Sequence, residues 1–321
     1  MIPIRDTVRS STFPVVNTAL IAVNILVFLW ALGMEQQELF LRFGIVPVRY
    51  SVPDLAARFS FGAQALPFIS SMFLHGGLLH LLGNVWFLYI FGDNVEDRLG
   101  PLRYLAFYLL CGVGSGLTHL LLNWDSPLPT IGASGAIAGV MGAYFLLHPN
   151  ARILTLVPIF FIPWFVEIPA FFFLGLWFLL QFLNAAGSHG AATGIAWWAH
   201  IGGFVFGIVL LKLFGLVPRL GADDKVRSVT SKRRTEHLQS IHPSGGGGGA
   251  DLQGRLVVSP YEALTGTRKL VNIPWGFHNR LIRVLVPPGV KKGSRLRLQG
   301  LGRQTPDGGR GDLYLEVDIR G

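Results

Sequence analysis

Three short motifs place histidine, asparagine, serine and glycine within apolar stretches of this 321-residue chain. In chain order they read His75-x4-His80-x3-Asn84, Gly132-x-Ser134-Gly135 and Ala199-His200-x2-Gly203. Polar side chains are costly to bury inside a membrane, so they indicate a functional site there. A serine with a histidine is the smallest set that can attack a carbonyl group, which predicts acyl transfer.

Small residues are expected to bring the serine and the histidine together. Ser134 and His200 each open an apolar run in which glycine or alanine recurs every three or four positions. Helices with such surfaces pack very closely. We therefore predict a dyad at hydrogen-bond distance, with Ser134 as the nucleophile and His200 as the base. No Asp or Glu offers itself as a third member.

The first motif allows three interpretations. His80 and Asn84 are four residues apart and share one face of a helix, so with the backbone N–H of Ser134 they could bind a developing oxyanion. A metal site and purely structural hydrogen bonds are the alternatives. Metal is disfavoured because a third strong ligand is missing, and the single cysteine, Cys111, excludes a multi-cysteine cluster. We expect no metal and no other cofactor.

The composition indicates a multi-pass membrane protein. Hydrophobic residues make up 51% of the chain and charged residues 14%, against about 25% charged in an average soluble domain. Six apolar runs are candidates for membrane spans, among them a short fourth one: 15–32, 78–91, 102–122, 134–147, 160–183 and 195–216. The first run lacks a small-residue cleavage site, so we expect it to be retained.

Charge predicts how the spans are oriented. With six spans both termini share one side, and most Lys and Arg of the membrane part fall on that side. The opposite side holds three arginines, all in the long segment 33–67. The positive-inside rule then places both termini in the cytoplasm. A bacterial plasma membrane is the expected location, with Ser134 and His200 near the outer leaflet.

A change of composition near residue 221 predicts a second domain. Residues 1–221 hold 10 Lys or Arg and 9 Asp or Glu, whereas the remaining residues hold 17 and 9. We expect an all-α domain of six transmembrane helices (1–221), a basic, glycine-rich cytoplasmic linker (222–250) and a small antiparallel β domain (251–321). Basic and acidic residues partly alternate along the predicted strands, so no nucleic-acid binding is expected.

In order and spacing, the three motifs closely resemble those of the rhomboid family of intramembrane serine proteases. The resemblance covers about residues 12–218. It implies a six-helix fold and cleavage of transmembrane protein substrates in or near the bilayer.

The resemblance also implies roles for single residues. Ser134 would be the nucleophile, His200 the base, and His80 and Asn84 oxyanion donors together with the Ser134 N–H. Some members carry an aromatic residue at the position of Ala138, so here another side chain would have to orient His200. Four residues would be structural near the site: His75, Gly132, Gly135 and Gly203.

The C-terminal part resembles the C-terminal β domain of DnaJ-type co-chaperones. The resemblance rests mainly on three segments: Ser259-Pro-Tyr-Glu-Ala-Leu-Thr-Gly266, Val286-Pro-Pro-Gly-Val290 and Gly308-Gly-Arg-Gly-Asp-Leu-Tyr314. It implies peptide binding or assembly. The alternative is a module that only stabilises the tail.

Other functions stay open beside the protease. The chain could be a catalytically silent rhomboid-like protein that binds or escorts membrane helices, although such proteins typically lack the serine or the histidine. It could be a membrane-anchored chaperone acting through the β tail, or a transporter, to which the short fourth run weakly points. The expected partners are transmembrane substrates, membrane lipids, and a peptide or protein for the β domain.

Overall fold

The computed structural model describes the whole chain except residues 160–161, 188–195, 218–220, 233–234, 236–237, 246–249, 276–277, 306–307 and 321. The chain divides into two compact units. We call residues 1–10 and 14–224 the membrane unit, and residues 11–13 and 225–321 the β unit.

The membrane unit is mostly helical. Its helices are α1 (Val15–Ala31), α2 (Gln36–Phe43), α3 (Val48–Ser51), α4 (Pro53–Ala56), α5 (Phe61–Ala65), α6 (Pro67–Ser70), α7 (Leu78–Leu99), α8 (Pro101–Leu122), α9 (Ser134–Leu147), α10 (Ala170–Gly187) and α11 (Trp197–Leu216). Its strands are β1 (Ile2–Asp6), β2 (Arg152–Ile159) and β3 (Ile162–Pro169). The boundary between the units falls within α12 (Gly221–Thr230).

Several of these helices are membrane-spanning candidates. Helices α8, α10 and α11 are each long and apolar enough to cross a membrane. Residues 61–73 and α7 pass the same test together, with a bend of 80° between them, while α1 and α9 are shorter apolar helices. The chain is therefore a membrane protein with several apolar helices. Each of the six predicted runs overlaps one of them, and six complete spans stay a prediction.

The run 160–183 is not one helix, contrary to the prediction. Its described part begins with β3, which pairs antiparallel with β2 in a sheet of order β1-β2-β3. Helix α10 begins only at Ala170. Pro163 and Pro169 explain the difference, because proline lacks the N–H that a helix interior needs and disfavours helical backbone in the residue before it.

Carboxylates from distant parts of the sequence cap two helices of this unit. Glu96 of α7 accepts hydrogen bonds from the backbone N–H groups of Val16 (3.1 Å) and Asn17 (2.7 Å) at the start of α1. Asp223 accepts one from Leu102 (2.8 Å) at the start of α8. These N–H groups have no partner within their own helices, so the carboxylates stabilise the helix starts.

In the residues that the structure describes, the β unit forms two small sheets and a short helix, besides the end of α12. Its elements are β4 (Leu238–Ser240), β5 (Ser244–Gly245), β6 (Leu252–Val258), α13 (Pro260–Thr265), β7 (Thr267–Trp275), β8 (His278–Val286), β9 (Arg295–Leu298) and β10 (Leu313–Ile319). The sheet orders are β5-β6-β10-β9 and β4-β7-β8. Buried aliphatic side chains form the core, including Leu256, Val271, Val284 and Leu315.

The β unit is mixed, not purely antiparallel as expected. Strand β10 runs parallel to β6, and β4 runs parallel to β7. Alternation of apolar and polar residues predicts which face of a strand is buried. This alternation does not specify which strand pairs with which, or whether a pair is parallel or antiparallel. The two parallel pairs therefore could not be predicted from it.

Candidate active site

The first turns of α9 and α11 bring Ser134 and His200 together. Ser134 is the first residue of α9, and His200 is the fourth of α11. Nε2 of His200 lies 2.7 Å from Oγ of Ser134, which is hydrogen-bond distance. A serine hydroxyl that donates to a neutral imidazole nitrogen can pass its proton to that nitrogen when it attacks a carbonyl group.

Glycine permits this close approach. A Cβ atom on Gly203 of α11 would overlap the backbone carbonyl oxygen of Gly135 in α9. One turn further along, a Cβ atom on Gly207 would overlap the carbonyl oxygen of Gly139. The small-residue strips noted in the sequence therefore form the contact between α9 and α11.

Helix α8 supports the same region through a serine. Oγ of Ser115 donates a hydrogen bond of 2.8 Å to the carbonyl oxygen of Ala199, the residue before His200. A Cβ atom on Gly135 would overlap this same Oγ. Ser115 thus contacts both α9 and α11. This role is not evident from the sequence, because serine within an apolar helix commonly bonds its own backbone.

The other ring nitrogen of His200 is bound by a residue that the sequence analysis missed. Oε1 of Gln181, on α10, lies 2.8 Å from Nδ1 of His200. The Gln181 side chain is only 7% exposed. The available signal was a single amide near the end of the otherwise apolar run 170–183, because a polar residue within a span indicates a functional site.

Two tryptophans pack around the His200 ring. The Trp177 ring lies 6.0 Å from it, centroid to centroid, at an interplanar angle of 36°. The Trp197 ring lies 6.2 Å away, nearly perpendicular at 88°. Ala138, where some family members carry an aromatic residue, is fully buried in the core. Trp177 and Gln181, one helical turn apart on α10, both contact His200.

The loop before Ser134 lies against His80. Gly132 has φ +122°, and a Cβ atom there would stand 2.8 Å from Nε2 of His80. Nδ1 of His80 accepts a 3.4 Å hydrogen bond from the Gly76 N–H, and its ring lies 5.1 Å from that of His75. The buried His75 ring has no hydrogen-bond partner among the described residues.

Asn84 lines a cavity together with residues from all three motifs. Its volume is about 1250 Å³, and Ser134, His200, His80 and Asn84 are all part of its wall. Nδ2 of Asn84 is buried and finds no acceptor within the described part of the chain. A buried donor without a partner is costly, so this amide is available to an oxygen atom that enters the cavity.

His119 lines the same cavity but makes its own contacts. Its Nε2 lies 2.7 Å from Oγ1 of Thr130, and its Nδ1 lies 3.3 Å from Nδ2 of Asn123. We assign it no chemical role. Across the described ranges, no group of three or more His, Cys, Asp or Glu residues could hold a metal ion.

Comparison with known proteins gives two domain matches. The sequence model of the Rhomboid domain family matches residues 62–216, and that of the DnaJ C-terminal domain matches residues 247–321. The human presenilin-associated rhomboid-like protein, mitochondrial, is 29% identical over 197 residues, 60% of this chain and 46% of that protein. Yeast rhomboid protein 1, mitochondrial, is 29% identical over 153 residues, 44% of this chain and 39% of that protein.

A plant relative matches a shorter stretch. RHOMBOID-like protein 5 of Arabidopsis thaliana is 39% identical over 75 residues, 23% of this chain and 24% of that protein. The chain therefore matches about half or less of the length of these relatives. The human and yeast relatives are mitochondrial by name, so they lend no support to a bacterial plasma membrane. These matches show a chain that carries a rhomboid domain followed by a DnaJ C-terminal domain.

Proposed function

We propose that this protein is an intramembrane serine endopeptidase that cleaves transmembrane protein substrates in or near the bilayer. The observation that carries the proposal is the 2.7 Å contact between Nε2 of His200 and Oγ of Ser134. The rhomboid match supports the substrate class, because the family acts on membrane proteins. Both members of the dyad are present and adjacent, which disfavours a catalytically silent escort protein.

The reaction follows from this geometry. Oγ of Ser134 forms a bond to the substrate carbonyl carbon while its proton passes to Nε2 of His200. When the peptide C–N bond breaks, His200 returns that proton to the leaving amine, and an acyl-enzyme remains. Water then attacks the ester, His200 takes a proton from it, and the acid product leaves as Ser134 regains its proton.

An oxyanion forms in both acylation and deacylation, and it needs hydrogen-bond donors. We propose the Ser134 N–H, His80 and Asn84 for this role. The free Nδ2 of Asn84 and the closeness of His80 to the Gly132 backbone support it. Gly132, Gly135, Gly203 and His75 would keep these groups in place.

The β unit is proposed to bind a peptide or protein partner, as its DnaJ C-terminal match suggests. A membrane-anchored chaperone is the second candidate function, and it rests on this match. We propose that both termini share the cytoplasmic side and that membrane lipids surround the exposed apolar helix faces. No cofactor and no nucleic acid enter the proposal.

The test is cleavage of a set of transmembrane model substrates by the full chain in proteoliposomes. We expect cleavage by wild type and by the control Ser51→Ala, a serine whose hydroxyl donates to the Val48 carbonyl of its own short helix. Ser134→Ala and His200→Ala should be inactive. Absence of cleavage by folded wild type, or cleavage by Ser134→Ala, would contradict the proposal.

A further inference from the structure

The ring of His200 has two described hydrogen-bond partners on opposite sides. Ser134 lies at Nε2, and Gln181 lies at Nδ1. Neither partner carries a charge. The base of the proposed dyad therefore has a neutral amide where a serine protease triad has a carboxylate.

Hydrogen-bond chemistry fixes what this amide can do. An amide oxygen only accepts hydrogen bonds, so Oε1 of Gln181 requires a proton on Nδ1 of His200. In a neutral imidazole the proton then leaves Nε2 free to accept from Ser134. The opposite tautomer would place a proton on Nε2 and leave no base for the hydroxyl.

The packing of α10 explains why the amide holds this place. Gln181 lies on the buried face of α10 with Phe173, Leu174 and Ala185. It is the polar member of this face, and a buried polar side chain needs a partner. Trp177, one turn before it, packs against the His200 ring and restricts the direction in which Nδ1 can point.

We infer that Gln181 is a positioning residue for the dyad, which selects the Nδ1-protonated tautomer of His200 and aims its Nε2 at Ser134. The inference rests on the proposed function. Some family members carry an aromatic residue at the position of Ala138 in α9. Here a residue of α10, Gln181, would orient His200 instead.

The test uses the full chain in proteoliposomes with three variants. Gln181→Leu keeps the size of the side chain and removes the acceptor, whereas Gln181→Glu keeps an acceptor and adds charge. The matched control is Asn184→Leu, an exposed amide on the same helix that bonds the Leu180 carbonyl. We measure kcat and KM for a transmembrane substrate, the pH profile, and the rate at which a fluorophosphonate labels Ser134.

Gln181→Leu should lower kcat and the labelling rate by about 10- to 100-fold, on the scale of general-base catalysis, with KM nearly unchanged. Asn184→Leu should match wild type. Gln181→Glu should retain more activity than Gln181→Leu and move the acid limb of the profile to higher pH, because a carboxylate stabilises the imidazolium. A purely structural role would not move this limb.

The inference is wrong if Gln181→Leu cleaves and labels like Asn184→Leu. Should Gln181→Leu fail to fold, Gln181→Glu decides alone, and a pH profile identical to wild type would overturn the inference. A folded wild type that neither cleaves nor labels would instead overturn the proposed function, so the two failures are distinct.

Discussion

Gly203 of α11 lies directly against the carbonyl oxygen of Gly135 in α9, with no room for a Cβ atom between them. Gly135 follows Ser134, and Gly203 comes three residues after His200. The backbone contact therefore lies at the level of the dyad, and any widening of it would lengthen the 2.7 Å contact between Oγ and Nε2. Packing and proposed chemistry depend on the same two glycines.

Gly203→Ala tests this dependence. A methyl group in a closely packed site costs about 1–3 kcal/mol, and relief by separation of the helices would move His200 away from Ser134. We expect a lower midpoint of thermal unfolding and a loss of cleavage at temperatures where the variant is still folded. The matched control is Gly215→Ala on the same helix, where a Cβ atom meets nothing within 4 Å. Equal behaviour of the two variants would contradict the argument.

The contact between Ser134 and His200 could be predicted from the sequence because the residues that permit it lie next to each of them. Ser134 and His200 each begin an apolar run, and the glycines that follow identify the faces that meet. Gln181 could not be predicted as their third partner in the same way. Its contact depends on where α10 lies against α11, and nothing in the spacing along α10 specifies that position.

Two features of the fold differ from the sequence prediction, for different reasons. Hydropathy identified 160–183 as a single apolar run, but hydropathy does not distinguish a strand from a helix. Pro163 and Pro169 were the local signals that β3 precedes α10. In the β unit, the alternation in β10 predicted its buried face, but alternation within one strand does not specify that its neighbour β6 runs parallel to it.

Gly132→Ala tests the placement of His80. The φ of +122° is unfavourable for any residue with a side chain, and the new methyl group would press on Nε2 of His80. We expect kcat to fall by about 10²-fold or more, on the scale of a lost oxyanion donor. Gly77→Ala is the control, since a Cβ atom there meets nothing within 4 Å. Full activity of a folded Gly132→Ala would argue against an oxyanion role for His80.

Asn84→Ala tests the proposed oxyanion donor directly. The amide Nδ2 has no described partner to lose, so the fold should be little affected and thermal unfolding should resemble wild type. We expect kcat to fall by about 10²- to 10³-fold with KM nearly unchanged. Asn184→Ala, which removes an exposed amide, is the control. A rise in KM with kcat unchanged would instead assign Asn84 to substrate binding and exclude it from the oxyanion site.

The β unit contains a buried ion pair between Lys269 and Glu262. Nζ of Lys269 lies 2.6 Å from Oε1 of Glu262, and both side chains are almost fully buried. Burial by itself would raise the pKa of Glu262, but the hydrogen bonds from Lys269, Ser259 and Thr235 outweigh it and hold that pKa below its ordinary value. The carboxylate therefore contributes stability above the ordinary pKa of a glutamate, about 4.3.

That stability is lost as the pH falls through the lowered pKa of Glu262. Glu262→Gln leaves Lys269 buried without its counter-charge, which costs about 3–5 kcal/mol at neutral pH. We expect faster hydrogen exchange in β6 and β7 of the full-length variant at pH 7, and a difference from wild type that narrows only once the pH falls below the ordinary pKa of a glutamate, about 4.3. Glu316→Gln, at an exposed site on β10, should match wild type at every pH. A difference that stays constant with pH would mean that the ion pair does not stabilise the β unit.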